Sequence, residues 1–165
     1  MGGRCLIRDI ELTVNGKARR LRVEDTANLL DVLRNQLDLK AARFGCGAGQ
    51  CGACAVILDG EDVAACQLEV GNLEGRSITT LEGIGTAANP HPLQTAFIEL
   101  NAGQCGYCLA GILVGAKALL DRNSSPTRDE IAQALSWHLC RCGAHNRILA
   151  AVALAAERMS RRAAA

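Results

Sequence analysis

The stretch RFGCGAGQCGACAVILDG, Arg43–Gly60, carries three cysteines (Cys46, Cys51, Cys54) and five glycines (Gly45, Gly47, Gly49, Gly52, Gly60). The cysteines are spaced C-x4-C-x2-C, and Cys66 follows after eleven further residues. This is the plant-type [2Fe–2S] spacing with a near fourth ligand. The glycines fit the same chemistry. Four thiolates around an oxidised cluster make a dianion, which backbone N–H groups must face. A loop wraps that closely only where residues lack a Cβ and some take positive φ. Cys46, Cys51, Cys54 and Cys66 are thus candidate ligands, with Gly45, Gly47, Gly49 and Gly52 shaping the loop. A zinc ribbon or free buried thiols are the competing readings, although structural zinc favours two C-x2–4-C pairs.

A second set lies downstream. QCGYC supplies Cys105 and Cys108 at an expected helix start, and LCRCG supplies Cys140 and Cys142 between two helices. Alternate side chains of an extended strand share a face at wide separation, so C-x-C needs a bend, which Gly143 allows. Free N–H groups at a helix start near Cys105 would favour an anion. Taken alone, this set suits either a second cluster or zinc.

The pattern outward from the first loop is β structure. Ile10, Leu12 and Val14 alternate, Asn15-Gly16 is a hairpin signal, and Leu21 and Val23 alternate again. Leu29, Leu30, Leu33 and Leu37 recur at helical spacing, with Asp25 or Thr26 as cap. CAVILDGEDVAAC reads as strand, turn and strand, and RSITTLEGI as a last strand. Beyond GTAANPHP the reading is helical: 93–100, 110–120, 127–139 and 148–159. The last of these is Ala-rich and apolar nearly all round, which predicts burial between neighbours. The expected organisation is a first domain over 1–84, a linker over 85–92, a helical domain over 93–160 and a frayed tail over 161–165.

The chain has 165 residues, with 18 basic and 17 acidic side chains and a net charge of +1, a balance that excludes a strongly basic nucleic-acid binder. Aromatic residues make up 2%, so Leu, Ile, Val and Ala must fill the core. Arg8, Asp9 and Glu11 interrupt any signal-peptide run, and the longest apolar run, Ile148–Ala156, has nine residues, where a membrane span needs about twenty. The chain is therefore not expected to span a membrane itself. A reducing, cytoplasmic setting is expected, where nine cysteines suggest metal ligands; membrane association or a periplasm-facing position would come only through partner subunits. No substrate pocket and no acid–base pair stand out, so catalytic residues are not expected on this chain.

GCGAGQCGACAVILDG, QCGYC and LCRCG together resemble the iron–sulfur subunit of the molybdenum hydroxylases, the xanthine dehydrogenase and aldehyde oxidoreductase family. The resemblance runs from about Ile10 to Val152. It implies an α+β architecture: a β-grasp, plant-type ferredoxin-like domain, then a four-helix bundle with a second [2Fe–2S] cluster. It implies that Cys46, Cys51, Cys54 and Cys66 hold an outer cluster, and that Cys105, Cys108, Cys140 and Cys142 hold an inner one. It also implies that Gln104 and Cys142 approach the molybdopterin held by a large partner subunit. Electrons would pass from molybdenum through both clusters to a c-type cytochrome or an FAD subunit. Many members have Thr-Pro-Gly where this chain has Leu109-Ala110-Gly111, and Thr-Gly-Tyr where it has Gly143-Ala144-His145. CRCGAH is similar to the branch acting on nicotinate, isoquinoline and some aldehydes, which often uses the cytosine dinucleotide cofactor. A stand-alone two-cluster ferredoxin-like carrier and a zinc-stabilised interaction module are the rival readings.

Other candidates are assigned modest roles. Cys5 is expected to be a spare thiol. His91, His138 and His145 could replace Cys as in a Rieske centre, but eight cysteines already complete two sets, which leaves capping or surface roles. Trp137 and Tyr107 are expected to pack beside the inner cluster. Arg43 and Arg141 are either partners for cluster charge or ordinary solvated cations.

Overall fold

The computed structural model describes residues 6–163; Cys5, with its expected spare-thiol role, lies outside them. Strands β1 (Ile7–Val14) and β2 (Lys17–Glu24) form an antiparallel hairpin in the register Val14↔Lys17 to Ile7↔Glu24. Its turn places Asn15 at φ 51° and Gly16 at φ 73°, the doubly positive conformation that Asn-Gly favours. Strands β3 (Ala55–Leu58) and β4 (Glu61–Ala64) form a second hairpin over Asp59-Gly60. Strand β5 (Ser77–Thr79) lies between the hairpins, parallel to β1 and antiparallel to β3, giving the order β2-β1-β5-β3-β4. With the short helical segment lying against one face, this is a β-grasp sheet.

That segment is not the regular helix its leucines predict. One α turn, α1 (Leu29–Asp31), widens into a π segment over Val32–Gln36. Its cap is Asn28, whose Oδ1 accepts from Leu30 N at 3.0 Å. Asp25, one of the two expected caps, instead accepts from the Leu6 N–H through its side chain and from the Gly71 N–H through its carbonyl. Leu29, Val32 and Leu33 still reach the core, packed on Ile10, Leu12, Val56 and Ile78. The last expected strand also ends early. Thr80 is buried and hydrogen-bonded to the Asn15 side chain, and the chain turns into α2 (Leu81–Ile84).

Four helices follow as a bundle: α3 (Pro92–Glu99), α4 (Leu109–Arg122), α5 (Arg128–Ala134) and α6 (His145–Ala163). His91 caps α3 in a reciprocal box with Gln94 and has Pro92 behind it; Thr127 caps α5 in the same way with Glu130. Leu93, Ile112, Ile131 and Val152 are among the side chains of the second core. α6 is not buried all round. Ile148, Ala151, Val152, Ala155 and Ala156 face inward while Ala150 and Ala153 are exposed, because alanine supports a helix on either face. The same helix continues through Arg161 and Arg162 to Ala163 where a frayed tail was expected.

The helix enclosed on two sides is α4. Ile112, Ala116 and Leu119 join the bundle core, while Val114 and Ala118 pack on Ala55 and Ile57 from the back of β3. All four residues of β3 are buried for that reason. The sheet and the bundle therefore share one seam, and Cys54 and Cys108 immediately precede the two elements that form it, β3 and α4. No helix of the described residues is long and apolar enough to cross a membrane.

Two candidate cluster sites joined across a seam

The first set sits on the loop leading into β3 and on the turn after β4. Gly47, Gly49 and Gly52 take φ of 67°, 70° and 71°, the conformations expected from their lack of a Cβ. A Cβ at Gly45 would lie 2.6 Å from the Cys51 Sγ. The curled loop turns its amides onto sulfur: Ala48 N and Gln50 N donate to Cys46 Sγ at 3.3 and 3.2 Å, and Cys46 N to Cys51 Sγ at 3.4 Å. The Gln67 amide donates to Cys66 Sγ at 3.6 Å, a contact that spacing alone does not reveal. The thiols face each other in pairs, Cys46 with Cys51 and Cys54 with Cys66.

The second set pairs in the same way, Cys105 with Cys142 and Cys108 with Cys140. Cys105 is not on the helix. Gly106 at φ 78° forms a turn, Cys108 is the N-cap, and α4 begins at Leu109. The amide facing Cys105 is that of Tyr107 in this turn. Gly143 at φ 71° supplies the bend expected at C-x-C, where the amides of Ala144, Cys142 and Gly143 face Cys140. Gln104 lies four residues ahead of the cap, which removes a capping role for it. It is exposed at the lip of a groove shared with Phe97, Ile98 and Leu109.

The thiols divide by environment. Amides of Ala48 and Gln50 lower the Cys46 pKa to about 7, and the Tyr107 amide followed by Cys142 holds Cys105 below the usual thiol value. Burial pushes Cys54 and Cys108 up to about 12. For Cys140, burial acts upward, but the Ala144 amide and Cys108 outweigh it. Each site therefore has an exposed, thiolate-prone end and a buried end that must release protons to a metal, so loading is favoured as pH rises. The two-and-two pairing fits a binuclear cluster, which takes two protein ligands per iron, and the amides aimed at sulfur fit its negative charge. Among the described residues no trio of Cys, His, Asp or Glu converges as for a single ion.

Contacts between the sites went unseen in the sequence. α5 ends at Ala134, five residues before the predicted end, because tertiary bonds take over. Leu139 N donates to the Cys51 carbonyl at 3.0 Å, and Trp137 Nε1 to Asp62 Oδ2 at 3.1 Å. Trp137 thus packs on the seam with Ala55, Ile57 and Val114, not beside the second cysteine set. His138 is 3% exposed, neither a cap nor a surface residue. Arg43 donates to the Gly106 carbonyl at 3.2 Å and stacks 5.2 Å from the Tyr107 ring centre; the Tyr107 hydroxyl donates to the Phe44 carbonyl at 2.5 Å. Arg43 is therefore a bridge between the loops, and Tyr107 is exposed and bridging.

Known proteins share these two domains and this fold. Residues 12–78 match the 2Fe-2S iron-sulfur cluster binding domain, and residues 80–153 match the [2Fe-2S] binding domain. The nicotinate dehydrogenase small FeS subunit of Eubacterium barkeri is 45% identical, over 90% of this chain and 95% of its own length. The quinoline 2-oxidoreductase structure from Pseudomonas putida 86 superposes with TM-score 0.89 at 36% identity, covering 94% of this chain and 97% of that one. Aldehyde oxidoreductase from Desulfovibrio desulfuricans superposes with TM-score 0.91 at 46% identity over 93% of this chain, which spans only 17% of the larger protein. The chain belongs to the [2Fe–2S] small-subunit family of the molybdenum hydroxylases.

Proposed function

We propose that this chain is the non-catalytic electron relay of a molybdenum-dependent hydroxylase, receiving electrons from a large molybdopterin-bearing subunit and delivering them to a cytochrome c or flavin acceptor. Cys105, Cys108, Cys140 and Cys142 hold the receiving site, and Cys46, Cys51, Cys54 and Cys66 the delivering site. Each [2Fe–2S] group, when bound, takes and gives one electron at a time. The chain's own residues hold the two groups, set their charge balance with amides, and connect them. The observation that carries this reading is the Leu139 N–H bond to the Cys51 carbonyl at 3.0 Å. It joins a residue of the first set to the neighbour of Cys140 with a single hydrogen bond. The Phe44–Tyr107 bond is a second link between the loops.

The receiving face is the exposed end of the second set. Gln104 and Cys105 are exposed and Cys142 is half-buried, which suits a contact with the partner's pterin. A neutral amide both donates and accepts at such an edge. The similarity of CRCGAH to the branch acting on nicotinate, isoquinoline and some aldehydes supports the cytosine dinucleotide as the proposed cofactor form and an N-heteroaromatic compound or an aldehyde as the proposed substrate class.

Metal analysis of the purified native complex tests the loading. About four irons and four sulfides per copy of this chain are expected, with two distinguishable EPR signals after reduction. Half that iron with matching zinc would overturn the assignment of the second set.

A further inference from the structure

We infer that Asp62, through Trp137 and His138, is a positioning residue that fixes the Leu139–Cys51 link and hence the coupling between the two sites; this rests on the relay reading above. Asp62 lies on β4, four residues before Cys66, and Trp137 lies three residues before Cys140. One carboxylate oxygen, Oδ2, accepts from Trp137 Nε1 at 3.1 Å and faces His138 Nε2 at 3.4 Å. The side chains are enclosed, 13% exposed for Asp62 and 1% for His138. A single carboxylate thus joins the strand leading to one cysteine set to the segment leading to the other.

The surroundings are shaped for this contact. The His138 ring sits in a slot between two glycines. A Cβ at Gly115 would lie 2.5 Å from Nε2, and one at Gly52 would collide with Nδ1. Gly52 belongs to the cysteine loop and Gly115 to α4. The Trp137 and His138 rings lie 4.2 Å apart, tilted by 41°. His138 Nδ1 finds no hydrogen-bond partner among the described residues, so the ring is oriented by the slot and by Asp62 at Nε2. With Trp137 and His138 held, the next amide, that of Leu139, falls on the Cys51 carbonyl. After Leu135 only turn bonds remain, Ser136 N to the Gln133 carbonyl at 3.2 Å and His138 N to the Leu135 carbonyl at 3.0 Å, and Leu139 N is the amide that reaches across to the cysteine loop.

The test compares Asp62→Leu, which keeps the bulk but loses the acceptor, with Asp62→Asn, which keeps an oxygen for Trp137. Both are made in the native complex. Trp137 is the only tryptophan of this chain, so its emission, read as the difference from the unsubstituted complex, reports on the contact. The Leu variant is expected to hold both clusters, blue-shift the emission, alter the magnetic splitting between the two reduced centres and slow transfer between them several-fold. The Asn variant is expected to restore splitting and rate. Unchanged splitting and transfer in the Leu variant, with both clusters present, would overturn the inference. If the Leu variant fails to load, Trp137→Phe removes the N–H donor while keeping an aromatic side chain, and splitting and transfer rate decide in the same way. Failure of the relay reading itself appears separately, as the absence of two signals in the unsubstituted complex.

Discussion

Cys51→Ala in the native complex is expected to abolish turnover with the external acceptor while substrate still reduces the second site. Cys51 pairs with Cys46 and accepts the Cys46 N–H, so its loss removes a thiolate and half of one facing pair. The second set stands on other elements, the turn before α4 and the bend before α6, and none of its four sulfurs pairs with Cys51. Iron should fall by half, and one of the two EPR signals should vanish. Because removing even a partner of a metal ligand costs about 10–100-fold in affinity or activity, losing a ligand should lower acceptor-linked turnover by more than about 100-fold. The variant also identifies which signal belongs to which set. Loss of both signals would mean that the sites load as one unit, and retained turnover would remove the first set from the route.

Gly111→Ala is expected to be one of the most damaging single methyl additions in the chain. On an ordinary helix this change gains about 1 kcal/mol. Here the new Cβ would fall inside the carbonyl oxygen of Gly52, with the Gly52 and Ala53 carbonyl carbons also in reach. Backbone on the far side cannot swing away as a flexible side chain can. Overpacking of this kind costs about 1–3 kcal/mol, occasionally more. The contact is too close for the lower figure, so a net loss of about 2 kcal/mol is expected. At this chain length that corresponds to a fall in Tm of about 4–8 °C. Melting at a fixed scan rate checks it, since a cluster protein need not refold. A Tm that is unchanged or raised would show that α4 and the cysteine loop can separate without cost.

The two predictions rest on different parts of the sequence, and these parts were not equally legible. The Cys/Gly loop could be read because cysteine spacing and glycine each have a narrow chemical use, and the hairpins because Asn15-Gly16 and Asp59-Gly60 adopt the positive φ their residue types allow. The seam could not be read. Gly111 and Gly115 look like weak points of an apolar helix until Gly52 and His138 are brought against them. Periodicity carries no sign that α5 must stop at Ala134, since the bonds that displace it come from Asp62 and Cys51, more than seventy residues away. Likewise, an Ala-rich segment suggested that α6 was the enclosed helix, whereas α4 has both the sheet and the bundle against it.

The direction of the relay is open to one decisive measurement. The oxidised complex is freeze-quenched at successive times after mixing with substrate, and the two EPR signals are followed separately, assigned with the Cys51→Ala variant. The signal of the Cys105/Cys108/Cys140/Cys142 site is expected to rise first, with the Cys46/Cys51/Cys54/Cys66 signal following at its expense until a second electron arrives. A first-set signal that appears before the second-set signal, or that forms normally when Cys140→Ala has emptied the second site, would contradict the relay.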